Sequence, residues 1–391
     1  MSGIDQWAEE LRSYGLNNGP NKNVCSLHFK DKAIKTKISR SGFKESCEYC
    51  GEIRQVLELE DLAKFLMETV MYYFRDPGDF ASYNSREGGY LIDHSSSSEI
   101  LENDFELEID DFDLHKDILE WLDDGCAWSD ANSLYGKGQF ARPDSWSHFC
   151  YLLKHEVRYL FHLYKDNDNY SSYQSVEILK EIGRMINKYK LIGTISPKEK
   201  IYRCRQHTKD VNISSAKEIC APKVEYTMNP NRFSPAGISM FYCAFDKETT
   251  HLETIDTSWK TSKYTTVEFE INEDINIVDL TKIPSLPSVF DQSKRKKHSD
   301  LFFLNSFVSD LTKPIARDGK VHIDYVPTQV VTEYFRHMFN KKIHGIAYPS
   351  SRNKGGKAMV LFYDYYESLK NLTFIKSSLE TKTLNSYLKN R

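Results

Sequence analysis

Near residue 190 the chain changes its hydrophobic period, and that change sets the class of fold open to it. Upstream, apolar residues recur at helical spacing. Leu57, Leu59, Leu62, Phe65, Leu66, Val70, Tyr73 and Phe74 do so in VLELEDLAKFLMETVMYYF. Phe149, Leu152, Leu153, Val157, Leu160 and Phe161 do so in SWSHFCYLLKHEVRYLFHLYKD, which predicts a helix over 145–166. Downstream, short β-rich runs bounded by Gly, Pro and Asn take over: LIGTI, SMFYCAF, TTVEFEI, INIVDL and AMVLFYDYY. One helix is expected among them, over 327–340, with Pro327 in its first turn and Val330, Val331, Tyr334, Phe335 and Met338 on its apolar face. The predicted class is α+β: a mainly helical region followed by a mixed sheet.

A chain of 391 residues is long for one core. The expected segments are 1–52, 53–190 and 191–391. Charge divides along the same line. Residues 1–190 carry 22 Lys and Arg against 34 Asp and Glu, and residues 191–391 carry 30 against 22. A basic half suits a phosphate-bearing small molecule, and an acidic half could cover it in cis or answer a trigger. Nucleic acid is disfavoured, because Lys294, Arg295, Lys296 and Lys297 form the one dense basic run, which reads as a solvated loop. No stretch nears 18 apolar residues, and the start lacks a basic region followed by an apolar one, so no membrane span or signal peptide is expected. Eight cysteines in 391 residues make no disulfide scaffold, and their spacing suits reduced thiols in a cytoplasmic setting.

The first segment holds Cys25 and His28 as a C-x2-H pair, then Cys47 and Cys50 as a C-x2-C pair followed by Gly51. Two short chelating turns with four soft or borderline ligands predict a structural, tetrahedral Zn2+ in a knuckle-like segment. Unpaired buried cysteines beside an incidental histidine are the alternative. Arg158 and His162 lie four apart on the expected helix, hence on one face. An Arg and His pair of this kind could serve RNA cleavage, although its spacing is one residue short, and structural roles account for it as well.

Five polar residues stand in or beside the strand-like runs of the second half. Arg203 lies in IYRCR, at the end or edge of an apparent strand, and Arg232 in NPNRFSPAGISMFYCAF after a turn-rich loop. Their planar guanidinium groups suit pyrophosphate oxygens, and a surface salt bridge is the plainer role for each. Tyr242 falls on the strand face opposite Phe241 and Cys243, either in the core or as a stacking platform. Glu253 follows near the start of a helix, with Thr249 or Thr250 at its N-terminus. A carboxylate there could stabilise positive charge on a ribose, or merely face solvent. Ser350 and Ser351 sit in a Pro, Ser, Arg, Asn, Lys and Gly loop able to present a hydroxyl and N–H groups to an anion, or to serve as an ordinary turn. No Gly-rich phosphate loop and no G-x-S-x-G elbow occurs.

In order and spacing, IYRCR (201–205), NRFSPAGISMFYCAFDKETTHLE (231–253), YVPTQVVTEYF (325–335) and HGIAYPSS (344–351) resemble the RES domain, named for its arginine, glutamate and serine. Residues 1–190 resemble the helical, HEPN/RES-type N-terminal domain that accompanies some RES domains, with CSLHF and CEYCG matching its paired metal-type motifs. That family more often has cysteine where this chain has His28. The resemblance implies an ADP-ribosyltransferase-like fold with a cleft for NAD as substrate, and a toxin of a toxin–antitoxin pair. The implied activity is NAD+ phosphorylase or glycohydrolase chemistry that depletes NAD. The alternatives are ADP-ribosyltransferase action on a protein or nucleic acid, and a non-catalytic nucleotide-binding regulator. By position, Arg203 and Arg232 would grip NAD phosphates, Tyr242 would place the nicotinamide ring, and Glu253 would sit at the ribose. Ser351 would complete the set, with Ser350 as the alternative by register. NAD and phosphate are the expected small-molecule partners; an antitoxin, an activating protein in anti-phage defence and a second copy of the chain are the open protein partners.

Overall fold

The computed structural model describes residues 3–79, 81–84, 89–90, 92–130, 143–162, 175–259, 262–314 and 319–389. By internal contacts the chain divides into two units. The first takes residues 1–140 with 167–172 and Leu286–Ser299, and the second takes 141–166, 173–285 and 300–391. The expected boundaries at 52 and 190 do not coincide with this division. No helix among the described residues is long and apolar enough to cross a membrane.

The first unit combines helices with a three-stranded sheet and two short two-stranded pairs. Helix Leu59–Tyr73 buries Leu62, Phe65, Leu66 and Val70 at helical spacing, and helix Phe112–Trp121 adds Leu114, Ile118 and Trp121 to the same core. Asp111 caps the latter by accepting from the N–H of Leu114. Strands Asn23–Cys25 and Phe43–Ser46 flank Ile53–Glu58 in an antiparallel sheet. Leu286–Ser299, far away in sequence, is also built into this unit. Phe290 is buried with its ring 5.8 Å from Phe105, and Gln292 Nε2 donates to Glu68 at 2.7 Å. Arg295 stacks over Tyr72 at 4.4 Å, so the basic run expected as a loop instead opens helix Arg295–Thr312.

In the second unit nine strands form one sheet. Its path runs Leu372–Phe374, Lys263–Ile271, Lys200–His207, Phe241–Ala244, Lys357–Leu361, Gly345–Pro349, Ile275–Asp279 and Ile192–Ile195, with Glu380–Thr383 pairing onto Lys263–Ile271. Only Ile275–Asp279 and Gly345–Pro349 pair in parallel. Alternation divides the residues between two cores. Met240, Val360, Ile346 and Tyr348 face a helical layer that includes Ile182, Ile186, Leu304, Phe307 and Phe335. Phe241, Met359, Leu361 and Ala347 face the core on the other side, with Phe269 and Ile219.

Two expected helices change shape here. The one predicted over 145–166 runs as α-helix Pro143–Tyr151, passes into a π-turn over Leu152–Glu156 and stops at extended Val157. Arg158 and His162 lie past its end and share no helical face; Arg158 curls back to the carbonyls of Leu153 and Lys154. Residues 163–166 of that prediction fall outside the described residues. The helix expected over 327–340 runs as Val326–Glu333 and closes in a π-turn over Tyr334–Met338, with Pro327 in its first turn.

Candidate functional site

A cavity of about 740 Å³ opens in the second unit, within the range of about 300–1,000 Å³ usual for small-ligand sites. Arg203, Arg232, Tyr242, Glu253 and Ser351 all line it, together with Asn231, Thr250, Tyr325, Tyr348, Arg352 and Ala358. Residues that lie between positions 203 and 351 of the sequence thus meet at one place.

Arg232 owes its position to its neighbours. Phe233 is fully buried, and the N–H groups of Asn231 and Ser234 exchange hydrogen bonds with each other's carbonyls at 2.8 and 3.2 Å, which closes a tight loop. Tyr242 reaches over from its strand: its hydroxyl accepts from the N–H of Phe233 at 3.2 Å and pairs with Ser234 Oγ at 2.9 Å. Burial pushes the Tyr242 phenol up to about 12, so it stays protonated at neutral pH. The Arg232 guanidinium donates to the carbonyls of Leu311 and Lys313 at the end of helix Arg295–Thr312 and lies 5.5 Å from the Tyr325 ring. Carbonyls at a helix C-terminus carry partial negative charge, which favours a cation there.

Arg203 stands in a central strand, not at an edge: Lys200–His207 pairs with Lys263–Ile271 on one side and Phe241–Ala244 on the other. Nε donates to Ile219 O, Nη1 to Tyr242 O at 2.6 Å and Nη2 to Cys220 O at 3.3 Å, while the guanidinium lies 4.7 Å from the Phe241 ring. The side chain therefore ties three main-chain carbonyls together along the cavity wall. Burial lowers its pKa, and those carbonyls give the buried cation its compensating partners.

Glu253 lies in the last turn of helix Lys247–Thr254. Asp246 caps that helix by accepting from Thr249 N–H, and buried Thr250 bonds Tyr202 O at 3.2 Å, which anchors the helix on the sheet. Ser350 Oγ donates to Glu253 Oε1 at 2.5 Å while accepting from the N–H groups of Arg352 at 3.2 Å and Asn353 at 3.1 Å. Asn353 Nδ2 donates to Thr249 Oγ1 at 2.8 Å, closing the loop onto the helix. Of the two adjacent serines, Ser350 is the one bonded to Glu253; Ser351 is exposed and lines the cavity.

Two lining tyrosines did not figure among the sequence candidates. Tyr348 lies in strand Gly345–Pro349, where period-two alternation sets it on the face opposite Ala347 and could have found it. Tyr325 lies between two short helices, where no periodic signal marks it.

In the first unit, Cys25, His28, Cys47 and Cys50 converge, with their ligand atoms all within 4.8 Å of one another. Cys25 Sγ lies 3.7 Å from Cys50 Sγ, and Cys47 Sγ lies 3.5 Å from His28 Nε2. Tetrahedral bonds of zinc length put such edges at about 3.5–3.8 Å. Gly51, at φ +71°, makes the turn after Cys50 that most side chains resist. The other nitrogen of His28 points to Asp111 Oδ2 at 3.8 Å, on the side where a carboxylate commonly orients a ligating imidazole. The four residues could hold a metal ion.

Residues 200–371 match the family model of the RES domain, and residues 40–168 match that of HEPN/RES N-terminal domain 1. This is a RES-domain protein. The RES span contains Arg203, Arg232, Tyr242, Glu253, Ser350 and Ser351, so the cavity's lining groups are the RES domain's own. The HEPN/RES span takes in Cys47 and Cys50 but begins after Cys25 and His28. One chain of the crystal structure of the M. tuberculosis MbcT-MbcA toxin-antitoxin complex is similar at 15% identity with a TM-score of 0.30, over 54% of this chain and 96% of that one. No curated protein matches the sequence. Membership of the RES family supports a toxin-like, NAD-related enzymatic activity in general.

Proposed function

We propose that this RES-domain protein cleaves the bond between nicotinamide and ribose in NAD, with phosphate as acceptor, and so depletes NAD as a toxin does. The observation that carries this reading is the gathering of Arg203, Arg232, Tyr242 and Glu253 around one cavity. Arg232 offers the positive charge for the pyrophosphate. The Glu253 carboxylate, oriented by the Ser350 hydroxyl, faces the ribose. As the C–N bond breaks, its electron pair leaves with nicotinamide and the anomeric carbon becomes oxocarbenium-like, a charge the carboxylate stabilises. A phosphate oxygen then forms the new C–O bond, giving ADP-ribose-1″-phosphate. Tyr242, held protonated, positions the ring and steadies the loop that carries Arg232; it removes no proton. The same reading takes the mixed sheet as an ADP-ribosyltransferase-like scaffold.

The test is nicotinamide release from NAD by purified protein in phosphate buffer, with separation of the products. Glu253→Gln should lower the rate roughly 100-fold or more, since a group aimed at transition-state charge is worth about that much, while the variant keeps the wild-type unfolding temperature. Wild-type protein that releases no nicotinamide with phosphate, water or cell extract as acceptor would sink the proposal.

For the first unit we infer a structural zinc held by Cys25, His28, Cys47 and Cys50. Three thiolates and an imidazole would fill all four tetrahedral positions and leave none for substrate. The zinc would brace a small sheet whose strand Phe43–Ser46 is exposed throughout.

A further inference from the structure

Tyr348, in strand Gly345–Pro349, is 7% exposed. Its ring packs against buried Phe233, with centroids 4.8 Å apart and planes at 46°. Across the sheet it registers with Ala358, which registers in turn with Ala244 on the next strand. Two successive alanines leave the space beside the Tyr348 ring unfilled, and the cavity reaches down to Ala358, Tyr348 and Tyr242 there.

The hydroxyl of Tyr348 has no hydrogen-bond partner among the described residues. Nor is it sealed in, because the enclosed side-chain atoms of those residues that lack a partner are Arg295 Nε and Tyr363 Oη. The Tyr348 hydroxyl therefore opens into the cavity. Tyrosines buried this deeply ordinarily find a partner for the O–H. Burial and the nearby Glu253 carboxylate hold the phenol well above its ordinary pKa, so it is a neutral donor. Tyr348, Glu253 and Arg232 line the same cavity, so the hydroxyl opens into the space that the carboxylate also borders. Ser350, the residue that orients Glu253, comes two positions later, just past the end of the strand that carries Tyr348.

We propose that Tyr348 Oη donates a hydrogen bond to a hydroxyl oxygen of the ribose that Glu253 faces, an assignment that rests on the NAD reading above. The substrate then supplies the partner that the protein leaves out. Removing the hydroxyl should cost ligand affinity and leave the unliganded protein intact.

The experiment compares full-length wild type with Tyr348→Phe by calorimetric titration with ADP-ribose and with AMP, which lacks the second ribose. Thermal unfolding without ligand and nicotinamide release from NAD are measured alongside. The variant should bind ADP-ribose roughly 3- to 10-fold more weakly, the size of one ordinary hydrogen bond. It should bind AMP as wild type does and unfold at the same temperature or slightly higher. Equal ADP-ribose affinities, an equal loss for AMP, or a lowered unfolding temperature would each overturn the assignment, and wild-type nicotinamide release would show the NAD reading still standing. Wild type that neither binds ADP-ribose nor releases nicotinamide would overturn both.

Discussion

A single hydroxyl at Ser350 makes three hydrogen bonds: it accepts from the N–H groups of Arg352 and Asn353 and donates to Glu253. Replacing it by Ala leaves two loop N–H groups and a carboxylate short of a partner, whereas Ser351 lines the cavity from an exposed position. Ser350→Ala should therefore slow nicotinamide release roughly tenfold or more and lower stability by about 1–2 kcal/mol. Ser351→Ala should stay within about threefold of wild type and keep its stability. Turnover and thermal unfolding of the two variants side by side decide it, and equal losses would refute the distinction. Sequence leaves the choice open because two adjacent serines in a loop have no period to separate their directions. Arg203 shows a related blind spot. Its residue type suggests a phosphate fork, yet its three bonds go to main-chain carbonyls at Ile219, Cys220 and Tyr242 that only the fold brings near.

The helices and strands were more legible than their allegiance. Alternation in SMFYCAF places Tyr242 opposite Phe241 and Cys243, and the sheet does divide them between two cores. The apolar period of Leu59–Tyr73 likewise marks a real helix. Periodicity says that a face is apolar without saying what covers it. The helices at Pro143–Tyr151 and Ser175–Lys188 read as parts of a helical N-terminal domain, but Phe149, Ile182, Met185 and Ile186 pack in the core of the RES-containing unit. The π-turn that ends the first of them was equally hidden, since Val157, Leu160 and Phe161 continue the apolar period past the break. A fragment of residues 191–391 would lose these two helices and uncover the part of the core that they share with Leu304, Phe307 and Phe335. Each large apolar side chain taken from a core costs about 2–5 kcal/mol, so the fragment should be aggregated or lack a cooperative unfolding transition. Circular dichroism melting beside the full chain checks this; a soluble fragment with a full-length melting temperature would show that the helices are dispensable.

The two proposed sites lie in different units: the cavity is lined wholly by the second, and the Cys and His cluster belongs wholly to the first. If the metal is structural, stripping it with a strong chelator should release about one zinc per chain and lower the unfolding temperature. Nicotinamide release per folded molecule should persist at a temperature where the stripped protein is still folded. Metal content, melting and turnover measured on one stripped sample test this together, and turnover that vanishes while the fold survives would contradict a purely structural ion. The first unit's composition has a further consequence for how the protein is made. Its core includes Phe290, carried by a segment that enters from deep in the second half of the sequence. Domains ordinarily fold from the N-terminus as they leave the ribosome. Here the N-terminal unit must wait, its core open, until roughly three quarters of the chain has emerged, and by then Arg203, Arg232, Tyr242 and Glu253 have already been synthesised.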